Sequence, residues 1–261
     1  MFTHNLDPVL FDLGFIAIRW YSLAYIVGIL IGWWLGKRII IKRLQNSTQQ
    51  FHLKEFDDLI TYLIISIIVG GRFGYIVFYN LGYYISNPLD VVKIWEGGMS
   101  FHGALIGIIF GTYLFSLKRK ISTFFLLDII ACVSPIGIFF GRIANFINAE
   151  LVGKITNVSW GMIFPTVDML QRHPSQLYEA ILEGVILFFL LNFILKKNYI
   201  KNPGQISGLF LIFYSLFRFL IEFFRSPDPQ IGYLILNLTI GQLISIIFLL
   251  AGTFLFFIKK N

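Results

Sequence analysis

The stretch FFLLDIIACVSPIGIFFGRIANFI, residues Phe124–Ile147, decides the fold of this chain. A helix needs roughly 20 predominantly apolar residues to cross the hydrocarbon core of a bilayer. The stretch is longer than that and almost entirely apolar, so it predicts a transmembrane helix. Its arginine, Arg142, stands out because a charge inside a membrane is costly and usually functional.

The composition of the whole chain agrees with a membrane protein. Of its 261 residues, 57% are hydrophobic and 13% are charged, and the mean hydropathy is +0.76. A soluble globular domain carries about 25% charged residues. These values exclude a disordered chain, a coiled coil, a collagen-like fibre and an ordinary cytosolic enzyme, and they predict a polytopic membrane protein.

Seven apolar runs follow one another along the chain. They are Arg19–Ile41, Leu59–Tyr79, Phe101–Leu117, Phe124–Ile147, Leu177–Leu195, Ile206–Phe224 and Leu234–Ile258. We therefore expect an all-α polytopic protein, a bundle of about seven transmembrane helices forming one domain over residues 1–261. Glycines at four-residue spacing, such as Gly103, Gly107 and Gly111, predict close contacts between helix backbones.

The basic residues predict the orientation of the bundle. Most of the 21 lysines and arginines lie in clusters after spans one, three, five and seven. Such clusters stay in the cytoplasm, so the N-terminus is predicted outside and the C-terminus inside the cell. The net charge of +7 then indicates contact with an anionic lipid bilayer, and no nucleic-acid partner is expected.

Two polar groups lie inside the apolar runs. Arg142 and Asn145 are three residues apart, hence on one helix face, and the planar guanidinium suits a phosphate. A snorkelling arginine would not need the polar neighbours Asn148 and Glu150, so anion binding is favoured here. Further on, Tyr214, Arg218 and Glu222 form a second stripe at four-residue spacing. An ion pair of purely structural value between Arg218 and Glu222 is an equal alternative.

Other ionisable residues are weaker candidates. His102 opens the third run among glycines, and histidine suits proton transfer near neutral pH, although a lone histidine is usually structural. Arg72 is another charged residue inside an apolar run, and it has glycines as near neighbours in the sequence. Glu179 and Glu183 lie four residues apart and either cap a helix or line the mouth of a site. The histidines lack metal-ligand spacing, so no metal site is expected.

At these residues the sequence resembles the phosphatidylglycerol–prolipoprotein diacylglyceryl transferases of bacteria. The segment GRIANFINAELVG is similar to the signature of that family, and the resemblance extends in order over most of the chain. Five further segments support it: IRWYSLAY (Ile18–Tyr25), GGRFGYIVFYN (Gly70–Asn80), WEGGMSFHG (Trp95–Gly103), RHPSQLYE (Arg172–Glu179) and YSLFRFLIEFFRSPD (Tyr214–Asp228). One departure is Ala104, where the family usually has a second glycine after the histidine.

The resemblance implies a reaction. A diacylglyceryl group moves from phosphatidylglycerol to the lipobox cysteine thiol of a prolipoprotein signal peptide, and glycerol 1-phosphate leaves. This would be the first step of bacterial lipoprotein maturation, in the cell (inner) membrane. No metal or redox cofactor is expected, and the reactive cysteine belongs to the substrate.

The resemblance also implies roles for individual residues. His102, Arg142 and Arg218 are the catalytic candidates, with His102 as the candidate base. Residues expected to bind substrate, beside Arg142, are Asn145, Tyr21, Glu150, Gly153, Tyr214 and Glu222.

Two other classes of function compete with the enzyme. An anion or lipid transporter would also carry intramembrane arginine and glutamate. The chain has no internal repeat and no paired broken helices of the kind that transporters show, which counts against this alternative. A structural membrane partner is the third class, and the clustering of polar residues toward one side counts against it.

Overall fold

The computed structural model describes residues 2–14, 17–44, 52–94, 97–197, 202–227 and 232–258, with the side chains of residues 43, 44, 101, 102 and 235 outside that description. The described part is mostly helical. Its α-helices are α1 (Trp20–Leu44), α2 (Leu53–Tyr79), α3 (Leu81–Ser86), α4 (Phe101–Arg119), α5 (Thr123–Ile147), α6 (Ser175–Glu179), α7 (Leu187–Lys196), α8 (Gln205–Ile221) and α9 (Ile240–Phe257). A π-helix, Ala180–Ile186, joins α6 to α7, and 3₁₀ turns cover Pro88–Val92 and Ile235–Asn237.

Five helical segments in the described residues are long and apolar enough to cross a membrane. They are Trp20–Lys42, Leu53–Tyr79, Thr123–Ile147, Ser175–Lys196 and Ile240–Phe257. A polytopic, mostly helical membrane protein is therefore confirmed. α8 is a shorter apolar helix, and the count of seven spans stays a prediction.

The last span begins later than predicted. The sequence placed its start at Leu234, but α9 begins at Ile240. Thr239 caps the helix: its hydroxyl accepts a hydrogen bond from the Gln242 backbone N–H, and the Gln242 side chain accepts one from the Thr239 N–H. Leu236 has a φ of 58°, which a helix does not permit. The apolar run therefore continues past a helix boundary that only the capping residues mark.

The chain divides into two compact units, each described here by itself. The terminal unit comprises Met1–Gly36 and Asp128–Asn261, and the middle unit comprises Lys37–Leu127. In the middle unit, α2 packs on α4 through glycines. A Cβ at Gly107 would lie 3.3 Å from the Gly70 Cα and would overlap the Ser66 carbonyl oxygen. This confirms that glycines at four-residue spacing mark a helix contact.

Helices of the terminal unit are tied together by close backbone approach and by one buried carboxylate. A Cβ at Gly28 in α1 would lie 3.2 Å from the Gly137 Cα in α5. Asp128, fully buried in α5, accepts hydrogen bonds from the Gly204 N–H at 2.9 Å and from the Ser207 N–H and hydroxyl at 2.8 Å each. Because these donors lie at the start of α8, Asp128 caps that helix and fixes its position on α5.

Short strands complete the terminal unit. They are β1 (Phe2–Thr3), β2 (Val9–Asp12), β3 (Ala17–Arg19), β4 (Met162–Ile163) and β5 (Gln171–Arg172). β1 pairs parallel with β4, which pairs antiparallel with β5, while β2 and β3 form a separate antiparallel pair. The three-stranded sheet holds the ends of the loop that leads into α6.

Candidate active site

The helix that begins at Ser175 has one face made of buried polar groups. Ser175, Gln176, Glu179 and Glu183 are each fully buried. The backbone changes from α6 to a π-helix between the two glutamates, and π-helical turns are frequently found at functional sites. Gly184 permits this turn to lie against α5, because a Cβ there would lie 2.7 Å from the Cβ of Phe139. Two carboxylates are thereby held in an apolar helix pair.

Arginines from α5 and α8 bind these carboxylates. Arg142 places Nε 3.0 Å from Glu179 Oε2 and Nη2 3.2 Å from Glu183 Oε2. Arg218 forms a very short ion pair through Nη1 with Glu179, and its Nη2 lies 2.5 Å from Glu222 Oε1. Arg225 completes the set, with Nη1 3.2 Å from Glu179 Oε1. Glu179 therefore contacts all three arginines.

Three arginines and three glutamates meet here, so their formal charges balance. We call these six residues the charge cluster: Arg142, Arg218, Arg225, Glu179, Glu183 and Glu222. Buried ions are tolerated only when they are paired and hydrogen-bonded. Among the described contacts, Arg142 Nη1 and Arg218 Nε donate to no acceptor, whereas the other nitrogens of these two guanidinium groups lie close to carboxylate oxygens. Two donor groups are thus available to an added anion.

Neighbouring groups hold the charge cluster in place. The Thr239 hydroxyl donates to Glu222 Oε2 at 2.8 Å. A Cβ at Gly241 would lie 2.6 Å from Glu222 Oε1, so this carboxylate needs a glycine beside it. Tyr214 is 7% exposed, stacks on Phe210, and lies within electrostatic range of Arg142. Tyr214 therefore lies beside the cluster.

A second polar group surrounds Glu150, just beyond the end of α5. Asn145 Nδ2 donates to Glu150 Oε2 at 3.0 Å, and Asn148 Nδ2 donates to Oε1 at 3.2 Å. Ala149 and Leu151 have φ values of 53° and 55°, which residues with a side chain rarely adopt. Such backbone strain clusters at functional sites. The two strained residues fix where the Glu150 carboxylate lies.

Gly153 occupies a position where no side chain fits. Its N–H donates to the His173 carbonyl at 3.0 Å, and a Cβ would overlap that same oxygen and lie 2.8 Å from the Phe224 carbonyl oxygen. Arg172 Nη1 donates to the Gly153 carbonyl at 3.0 Å. Gly153 therefore joins the segment after α5 to the segments before α6 and after α8.

Two titratable groups near Gly153 lie outside the apolar helices. Hydrogen bonds from Arg172 hold the pKa of Asp168 below its usual range. Burial lowers the pKa of the His173 imidazole, which favours its neutral form. The ring contacts the Tyr178 hydroxyl at 3.1 Å and packs edge-on against Phe224. His173 is therefore a packing residue as well as a backbone acceptor.

The structure brings most of the predicted site residues into these two groups. Arg142, Arg218, Glu222 and Tyr214 meet at the charge cluster, while Asn145 and Glu150 form the second group. The ion pair expected between Arg218 and Glu222 is present, but it is one contact of a larger network. The side chain of His102 lies outside the described residues.

Other predicted residues have different surroundings. Tyr21 lies in the first turn of α1, and its ring is 5.2 Å from that of Tyr25. The Tyr25 hydroxyl in turn lies within electrostatic range of Arg142 and Glu150. Arg72, in the middle unit, donates to five backbone carbonyls of residues 90–98. It organises a loop.

Three members of the charge cluster were not among the predicted site residues. Glu179 and Glu183 were recognised only as a helix cap or as the lining of a site mouth, and Arg225 was placed outside the spans. The signal was the i, i+4 spacing of two glutamates in an apolar helix. Their partners come from α8 and from α5, which the sequence does not place together. Among the described residues, no group of three His, Cys, Asp or Glu side chains suits a metal ion.

Comparison with known proteins places this chain in a family. The family model for prolipoprotein diacylglyceryl transferase matches residues 8–258. The chain belongs to this family. It is also 53% identical to the phosphatidylglycerol–prolipoprotein diacylglyceryl transferase of Rickettsia felis over 252 residues, which cover 96% of each chain.

Further relatives agree with the family assignment. The transferase of the same name from Rickettsia typhi is 53% identical over 256 residues, covering 98% of this chain and 97% of that protein. The one from Rickettsia bellii is 53% identical over 252 residues, covering 96% and 94%. The prolipoprotein diacylglyceryl transferase family is thus matched over nearly the full length, and the prediction of an enzyme is confirmed. The transporter alternative is not favoured.

Proposed function

We propose that this protein transfers the diacylglyceryl group of phosphatidylglycerol to the thiol of the lipobox cysteine in a prolipoprotein. The cysteine sulfur attacks the glyceryl carbon that carries the phosphate. A thioether C–S bond forms and the C–O bond to phosphate breaks, with its electron pair going to the phosphate oxygen. Glycerol 1-phosphate leaves, and the thiol proton is transferred to a base.

The charge cluster is the observation that supports this proposal best. The leaving phosphate becomes a monoester and so gains negative charge as the C–O bond breaks. Donors fixed in advance at the position where charge develops stabilise a transition state. Arg142 Nη1 and Arg218 Nε are such donors, because Glu179 and Glu183 already hold both guanidinium groups in position. We assign Arg142 to the phosphate of the bound lipid and Arg218 to the departing phosphate.

The remaining predicted residues receive supporting roles in this proposal. His102 is the candidate base for the thiol proton. Glu150, held by Asn145 and Asn148, faces the glycerol hydroxyls of the lipid headgroup, since a carboxylate accepts hydrogen bonds from hydroxyls. Tyr21, Gly153, Tyr214 and Glu222 shape and orient the binding site.

The proposed setting is a bacterial inner membrane crossed seven times. α4 and α8 are the two spans beyond the five long ones, and the lysine clusters lie in the cytoplasm. The substrates are then a membrane phospholipid and a signal peptide in the same bilayer.

Purified protein, phosphatidylglycerol and a lipobox peptide test the reaction directly. We expect release of glycerol phosphate together with a lipidated peptide. Release should disappear when the peptide cysteine is changed to serine, and when Arg142→Ala replaces the wild-type enzyme. Arg119→Ala is the matched control, because that arginine pairs with Asp58 on an exposed surface. A folded wild-type protein that binds the lipid without releasing glycerol phosphate would contradict the proposal.

Arg142→Lys tests the phosphate assignment separately. Lysine keeps the charge but loses the planar fork that contacts two carboxylates and leaves one nitrogen for phosphate. We expect kcat/KM to fall at least about a hundredfold, roughly the loss expected for an electrostatic donor in an active site. Activity close to that of the wild type would show that the bidentate geometry is unnecessary.

A further inference from the structure

The three buried carboxylates of the charge cluster are not equally well bonded. Glu179 pairs with three arginines, and Glu222 accepts a hydrogen bond on each of its two oxygens. Glu183 is fully buried too, but it accepts one described hydrogen bond, from Arg142 Nη2 to Oε2 at 3.2 Å. Its other oxygen, Oε1, has no hydrogen-bond partner in the part of the chain that the structure describes. Glu183 is therefore the least stabilised of the three anions.

The surroundings of Glu183 place charges near Oε1 without bonding it. Arg218 Nη1 lies 3.9 Å from this oxygen, which is too far for a hydrogen bond. The other titratable groups that face the carboxyl group are Arg142 from α5, Tyr214 from α8 and Glu179 on its own helix. A buried carboxylate oxygen without a donor is costly. A proton removes that cost, because the carboxyl group becomes neutral and gains an O–H donor.

The balance of charge in the cluster changes when an anion binds. Three arginines and three glutamates sum to zero, so a phosphodiester leaves an excess of one negative charge. Such an excess is costly where little water screens it. A proton on the least stabilised carboxylate restores neutrality and leaves the ion pairs of the other two glutamates intact. Glu183 also lies between Arg142 and Arg218, whose guanidinium groups carry the free donors.

We propose that the charge cluster binds phosphatidylglycerol together with one proton, and that Glu183 carries this proton on Oε1. This inference rests on the proposed function, because it takes the charge cluster as the phosphate site. The proton comes from the solvent as the lipid binds, and it returns there after glycerol phosphate leaves. The carboxylate becomes a carboxylic acid in the complex, so cluster and lipid phosphate together are neutral. Lipid binding therefore strengthens as the pH falls.

Calorimetry on the wild-type protein measures this proton. Dihexanoyl phosphatidylglycerol is titrated into the protein in detergent, in buffers that differ in their enthalpy of ionisation. A phosphodiester has no second acidic proton, so any uptake belongs to the protein. We expect about one proton per lipid and, by linkage, a Kd that rises about tenfold per pH unit between about pH 6 and pH 8. Binding without proton uptake, or a Kd that does not depend on pH, would overturn the proposal.

Two glutamine variants identify the residue that carries the proton. Glu183→Gln puts a neutral amide of the same shape in place of the carboxylate, with an N–H donor where the proton would be. We expect it to take up no proton and to bind the lipid at pH 8 at least as tightly as the wild type does at pH 6. Glu222→Gln removes an equal charge but disturbs the hydrogen bonds from Arg218 and Thr239. Its affinity should therefore lie below that of the wild type throughout.

A control and two contrary outcomes complete this experiment. Asp58→Asn removes a carboxylate from an exposed pair with Arg119, so its proton uptake and Kd should equal those of the wild type. Proton uptake by Glu183→Gln equal to that of the wild type would place the proton on another group and overturn the assignment. Tight binding at pH 8 by Glu222→Gln and not by Glu183→Gln would overturn it as well. If Glu183→Gln does not fold, the wild-type calorimetry still decides whether a proton is bound.

Failure of this inference differs from failure of the proposed function. A wild-type enzyme that releases glycerol phosphate but binds the lipid without taking up a proton refutes the proton site alone. A wild-type protein that binds lipid and proton together, but releases no glycerol phosphate with the lipobox peptide, refutes the proposed function.

Discussion

At the scale of single residues, this protein places six formal charges among apolar helices and balances them. Glu179 is the centre of the arrangement, since it contacts Arg142, Arg218 and Arg225. Desolvation of isolated ions costs several kcal/mol each, about what good pairing recovers. The cluster therefore adds little to stability as a whole, and its value lies in holding two guanidinium groups in fixed positions.

Removing the central carboxylate should be costly. In Glu179→Gln, three buried arginines share two carboxylates, and breaking a buried pair costs about 3–5 kcal/mol. We expect the midpoint of thermal unfolding in detergent to fall clearly. Asp58→Asn is the control, because its pair with Arg119 is 38–45% exposed and worth at most about 1 kcal/mol. Equal midpoints for the two variants would show that the charge cluster is solvated.

At the scale of secondary-structure elements, the segment 145–153 follows the end of α5 and holds the Glu150 carboxylate in a fixed position. Strained residues flank Glu150, two asparagines hold its carboxylate, and Gln176 and Ser175 of α6 donate to the carbonyls of Glu150 and Leu151. The segment is thus positioned by hydrogen bonds as well as by apolar packing, since Ala149 and Val152 are buried in a cluster with Phe164.

Gly153→Ala should break this positioning. The new methyl group overlaps the His173 carbonyl oxygen, so the hydrogen bond from the residue 153 N–H is lost and the strands around it move. We expect a loss of about 1–3 kcal/mol in unfolding free energy, as overpacking causes, and a fall in transferase activity. Gly141→Ala belongs to the same sequence motif, and its Cβ would meet no atom within 4 Å. Its stability should be unchanged or slightly higher; similar losses in both variants would contradict the assignment.

Arg72 organises a loop segment in the same way. Its guanidinium lies 2.9 Å from the Val91 carbonyl, 2.6 Å from that of Asp90 and 2.5 Å from that of Gly97. Lysine offers a single nitrogen and cannot reach these acceptors together. Arg72→Lys should therefore speed hydrogen exchange of residues 88–98 while the exchange of α2 stays slow. Unchanged protection of this segment would show that other contacts hold it.

At the scale of the whole molecule, stability should depend on pH through His173. Burial lowers its pKa below the ordinary value of about 6.5. Between the folded and the ordinary pKa the unfolded chain binds more protons than the folded chain, so stability rises with pH in that window. The temperature at the midpoint of unfolding should therefore decrease as the pH is lowered from 7 toward 5, and His173→Gln should weaken this dependence on pH. An identical slope for the variant would contradict the role of His173.

The orientation in the membrane is a second prediction at this scale. Cys132 is buried and is the one cysteine in the sequence, so single cysteines can be introduced and labelled. Leu89 is 82% exposed and Asn202 is exposed, and seven spans place them on opposite sides. An impermeant maleimide should label Leu89→Cys in intact spheroplasts and Asn202→Cys only after lysis. Labelling of both before lysis would contradict the predicted topology.

The sequence by itself determined the class of protein and most helix positions, and it singled out Arg142 and Arg218, which the structure brings into one charge cluster. These follow from local information: apolar runs of membrane length, glycines at four-residue spacing, and charged residues inside apolar runs, which are costly in a bilayer and therefore usually functional. The start of α9 was predicted six residues early, because an apolar run does not show where Thr239 caps the helix.

Only the tertiary structure decided which charges meet. Glu179 and Glu183 are far along the chain from Arg142, and Arg225 lay outside the predicted spans, so no local pattern pairs them. The pairing depends on Gly184, where the missing side chain lets the π-turn approach Phe139, and on Asp128, which fixes the start of α8. Buried charge is stabilised by partners at about 3 Å, and such distances are set by helix packing, which a sequence read alone does not contain.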